Sequence, residues 1–61
     1  MSDDARADPD ILRAARYMIK QYGASALRRA DGRALDLARE HQRGAALIWV
    51  RIAEAMRQIQ D

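Results

Sequence analysis

The run from Ala45 to Ile59 (AALIWVRIAEAMRQI) constrains this chain more than any other stretch. It contains the only Trp, three of the five Ile and one of the three Met, with no Gly or Pro to interrupt it. At 3.6 residues per turn, Ala45, Ile48, Trp49, Ile52, Ala55, Met56 and Ile59 share one side, while Arg51, Glu54, Arg57 and Gln58 lie off it. The pattern predicts an amphipathic helix over about 45–60. Leu47 and Val50 fall on the side opposite Ile52 and Met56. A helix apolar on more than half its circumference is usually central and covered on both sides.

Upstream, two more helices are expected. Asp8-Pro9-Asp10 is a helix start, with Asp8 as N-cap, Pro9 at the first helical position and Asp10 beside the positive end of the dipole. Helix 1 should run over about 9–22 with a stripe of Ile11, Leu12, Ala15, Met18, Ile19 and Tyr22, and Gly23 supplies a left-handed C-terminal residue. Helix 2 is expected over about 25–41, with Ser25 as N-cap and Arg39 and His41 suiting its C-terminal end. Gly44 closes it, and Gly32 is the point where it could break. Ala26, Ala30, Ala34 and Ala38 recur every four residues and leave a shallow groove, on which helices 1 and 2 are expected to form an antiparallel hairpin. Residues 1–7 read as a disordered acidic tail and 8–61 as one all-α, three-helix domain. The residues expected to be buried are Ile11, Ala15, Met18, Leu27, Leu37, Ile48, Trp49, Ile52 and Met56.

Composition explains why such a domain would seek company. Of the 30 hydrophobic residues, 13 are Ala, Phe is absent, and there are 61 residues in all. Alanine favours helix but buries little area, and a core this small rarely supplies more than about 3–5 kcal/mol without a staple. With no Cys, neither a disulfide nor a thiolate metal site can be that staple. A homodimer paired through helix 3 is the expectation, with Leu35, Leu47, Val50 and Trp49 as interface residues. The expected function is a small cytosolic protein–protein interaction module. An antitoxin-like or inhibitor protein shares every one of its features.

The competing reading is nucleic-acid binding. Between Arg13 and Arg51 nine Lys/Arg face only three acids, Asp31, Asp36 and Glu40. Arg13, Arg16 and Lys20 form a strip on helix 1 beside Tyr17, where an aromatic among cations can stack on a base, and Arg28, Arg29 and Arg33 add charge to helix 2. Against it, Asp36 and Glu40 stand at ion-pairing distance along the helix from Arg29 and Arg33, and no helix-turn-helix layout is present.

Catalysis has little to draw on. Ser2 and Ser25 are the only serines, His41 the only histidine, and no triad, carboxylate pair, phosphate loop or metal cluster can be assembled from them. The chain is expected to be neither an enzyme nor a metal or cofactor binder. No apolar run approaches the ~18 residues of a membrane span, and the acidic amino terminus is unlike a signal peptide.

The order helix, Tyr22-Gly23, alanine-rich helix, Gly44-Ala45-Ala46 and Trp49-Val50-Arg51-Ile52-Ala53-Glu54-Ala55 resembles a group of short uncharacterised bacterial all-helical proteins. They share a helical hairpin ending in a Trp-x-x-Ile helix. The resemblance would cover residues 10–60; it implies the fold and brings no activity, cofactor or site residue with it.

Overall fold

A computed structural model describes residues 9–60, the last of these for its backbone only. The expected tail over 1–7 and the Asp8 cap lie outside the described residues. The fold is all-α: α1 (Pro9–Tyr22), a 3-10 turn (Gly23–Ser25), α2 (Ala26–Arg39) and α3 (Arg43–Gln60). No strand is present among the described residues. The expected bundle of three packed helices is there, but α1 and α2 are not separated by a loop. They form one helical path bent at Gly23, which takes φ +57 where a side chain would be strained.

Ser25 does not cap α2. It already has helical φ and ψ, and its hydroxyl donates backward to the Tyr22 carbonyl at 3.0 Å. A serine inside a continuing helical path has no open N–H ahead of it to accept from, so it bonds behind. Arg29 then reaches back over the same bend. Its Nε donates to Ser25 Oγ at 3.3 Å, and its guanidinium carbon lies 4.4 Å from the centroid of the Tyr22 ring. Tyr22, expected in the core stripe, is exposed instead and serves as the platform for that cation.

The end of α2 also differs from expectation. Gly44 does not close it; Gly44 lies in the first turn of α3. The left-handed position belongs to His41, at φ 63. The Gln42 N–H donates to the Leu37 carbonyl at 2.8 Å and the His41 N–H to Ala38 at 3.1 Å. That pair of bonds is a Schellman ending, whose left-handed residue is usually glycine. The Ala46 N–H then donates to the Gln42 carbonyl at 2.9 Å, so Gln42 both finishes one helix and starts the next. His41→Gly should therefore raise stability by about 0.5–1 kcal/mol, the left-handed penalty of a side chain less the extra unfolded-state freedom of glycine. Urea denaturation followed by circular dichroism would check it; an unchanged or lower midpoint would contradict the strain. Gly32 does not break α2, which runs unbroken through it.

Packing centres on α3. It contacts both other helices extensively, whereas α1 and α2 touch each other much less, so the central role expected of the Trp-bearing helix is shown. The alanine row of α2 consequently serves α3 rather than forming a hairpin groove for α1. The core cluster is Ala15 and Met18 from α1, Ala26 and Ala30 from α2, and Ile52, Ala53 and Met56 from α3. Ile11, Ala14, Ile19, Leu27, Trp49 and Ala55 pack partly buried around it, and Leu37 is buried further along α2. Ile48 and Ile59 are exposed, contrary to the stripe drawn for helix 3. The buried positions of α3 are instead Ala46, Ile52, Ala53 and Met56; the small side chains of Ala46 and Ala53 among them let a neighbouring helix approach closely. Ala38 is exposed as well. The described part of the chain measures 31 × 29 × 16 Å.

Candidate protein interface

Among the described residues no polar or charged side chain is buried, and no group of three or more His, Cys, Asp or Glu is placed to hold a metal ion. No described helix is long and apolar enough to cross a membrane. What the fold offers is its surface.

An apolar concavity lies between α2 and α3. It is lined by Ala34, Leu35 and Ala38 from α2 and by Ala46, Leu47 and Val50 from α3, with Arg43, Asp31 and Arg57 at its ends. Leu35 and Leu47 are each 53% exposed and Val50 41%, so three branched aliphatic side chains stand half in water around a floor of alanines. Three of the four expected interface residues therefore come together. Each helix contributes for the same reason. Leu35 lies off the alanine row of α2, and Leu47 and Val50 lie off the core face of α3, so short alanines between them form the floor. Antiparallel passage of α2 and α3 through the tight His41 turn then sets the two edges side by side.

Trp49 does not join them. It is half-buried and packs against the core cluster. Leu47 also borders a second concavity, between α1 and α3, together with exposed Ile48. The apolar surface thus continues across the crest of α3. A smaller hollow further along the α1/α3 seam has Ile11, Leu12, Ala55 and Ile59 as its apolar lining and Arg51, Glu54 and Gln58 around it.

Charges frame the α2/α3 concavity unevenly. At one end Arg57 Nη2 lies 3.4 Å from Asp31 Oδ2, and both side chains are more than half exposed. At the other end stands Arg43, in the first turn of α3. The sequence marked none of these three as functional; what could have pointed to them is that the antiparallel hairpin places Asp31 opposite the last turn of α3.

The basic residues are less concentrated than their count suggests. Arg13, Arg16 and Lys20 are exposed on the back of α1, beside Tyr17 at 60% exposure, and Arg13 pairs with Asp10 at 3.7 Å. On α2, Arg28 borders a hollow with Leu27 and Asp31, while Arg29 is committed to Tyr22 and Ser25. Asp36 and Glu40 make no ion pair with Arg29 or Arg33 among the described residues, contrary to the pairing expected at that spacing. Comparison with family models, with curated proteins and with solved structures finds no match to this chain.

Proposed function

We propose that this chain is a small protein–protein interaction module that self-associates through α3 and the apolar concavity it forms with α2. One observation carries the reading: Leu35, Leu47 and Val50, each exposed and outside the core, converge on a single surface. Scattered surface aliphatics are ordinary; three around one alanine-floored recess make a contiguous apolar patch of the kind that marks contact sites. The thin core gives the association something to do, since a partner's side chains would cover apolar surface the chain cannot cover itself.

Sedimentation equilibrium over a range of concentrations tests this. The parent chain should dimerise. Leu47→Glu should weaken the dimer roughly a hundredfold, because two-fold symmetry buries the unpaired carboxylate twice, while its helical circular dichroism stays that of the parent. A strict monomer at millimolar concentration would end the reading.

A second reading rests on Tyr17, whose exposed ring lies among Arg13, Arg16 and Lys20 in the manner of a stacking platform on a phosphate-tracking strip. Nucleic-acid binding through that strip would weaken steeply as salt rises. A gel-shift at low salt without retardation of duplex or single strand would dismiss it.

A further inference from the structure

We infer that the occupant of the α2/α3 concavity is a second copy of this chain lying antiparallel to the first, with Arg43 of each copy against Asp31 of the other. The inference rests on the self-association proposed above and adds the geometry of the pair.

Shape gives the first argument. A two-fold interface uses one patch on both copies, so that patch must carry both a protrusion and a recess. This one does. Ala34, Ala38 and Ala46 form the recess, and Leu35, Leu47 and Val50 stand beside it. A recess floored by methyl groups takes a branched aliphatic side chain as a knob takes a hole. A partner surface rich in large aromatics would find this recess shallow; a copy of the same surface brings Leu47 to it.

Charge then fixes the direction. Arg43 stands at one end of the patch and Asp31, paired with Arg57, at the other. Parallel stacking would set Arg43 against Arg43 and Asp31 against Asp31. Antiparallel stacking instead brings Arg43 to the partner's Asp31–Arg57 pair, where the shared carboxylate lies between the two guanidinium groups and offsets their mutual repulsion. Like charges facing each other across an interface disfavour that orientation more than a rim ion pair favours the other. Val50 lies seven residues from both Arg43 and Arg57 along α3, which places it next to the two-fold axis.

Because the native chain has no cysteine, introduced thiols report the geometry without background. Under mild oxidation Val50→Cys should form a covalent dimer by itself. Arg43→Cys and Asp31→Cys should each stay uncrosslinked, and the double variant should crosslink between chains. Within one chain those two positions cannot be bridged: Asp31 and Ala38, at the Arg43 end, are about 10 Å apart along α2, beyond the ~7 Å Cα limit of a disulfide. Arg43→Asp should also weaken the uncrosslinked dimer about tenfold, through two altered contacts per dimer.

Crosslinking of Arg43→Cys alone, with Leu47→Glu still dissociating the dimer, would overturn the antiparallel arrangement and leave the interaction surface standing. A dimer that resists Leu47→Glu and crosslinks through none of these positions would overturn both, as would a monomer at every concentration.

Discussion

Met56→Ala should leave this domain largely unfolded at 25 °C. Met56 is the largest side chain buried completely among the described residues, at 0% exposure, and it belongs to a core cluster drawn from all three helices. Truncating a buried methionine to alanine typically costs about 2–5 kcal/mol, the lost transfer free energy plus the cavity left behind. A domain of this size holds about 3–5 kcal/mol in total. The loss and the reserve are therefore of the same order, which is the reason to expect loss of the cooperative transition rather than a shifted midpoint. The neighbours cannot collapse into the void, because four of the other six cluster members are alanines with no side chain to reorient. Urea denaturation followed at 222 nm, at low protein concentration so that association does not contribute, is the measurement. A variant within 1 kcal/mol of the parent would mean that Met56 is not where the three helices are joined.

The same scarcity of large buried side chains decides what could be read in the sequence. The helices were legible because period, the Pro9 start and the Gly23 bend are local signals, and the central position of α3 followed from an apolar pattern wider than one face. The centre of each contact was not. A stripe drawn by size points to Ile48 and Ile59, yet both stand in water while Ala46 and Ala53 are buried. When helices approach closely, alanines occupy the middle and bulky residues are pushed to the edges, so weighting by hydrophobicity rotates the inferred face. His41 was missed for another reason. Its left-handed conformation is imposed by the turn between α2 and α3, and nothing in a histidine announces it, whereas Gly44 carries the usual signal and sits inside a helix.

The candidate surface was half legible on the same grounds. Leu35, Leu47 and Val50 drew attention because each lies off the core side of its helix. That they border one recess depends on how α2 crosses α3, which is set by alanines of both helices and by a turn. Arg43, Asp31 and Arg57 acquire meaning only once the hairpin brings residues 26 positions apart into one ion pair.

Ala30→Leu should destabilise the monomer by about 1–3 kcal/mol, the cost of forcing extra methylenes into a filled contact. Ala30 is fully buried and shares the core cluster with Ile52, Ala53 and Met56. Leucine and alanine have nearly the same helix propensity, so α2 itself would not suffer; the added volume must separate α2 from α3 or displace Met56. At about 4–8 °C of melting temperature per kcal/mol in so small a domain, the effect is readily resolved in a thermal scan. Ala38→Leu is the control. It makes the same change two turns further along the same helix, but at an exposed position bordering the recess, and at low concentration its melting temperature should stay near the parent's. If Ala30→Leu melted with Ala38→Leu, there would be spare room between the helices at Ala30. The alanine row would then be a matter of helix propensity rather than of close approach, and the recess beside it would lose the rigid floor on which a symmetric contact depends.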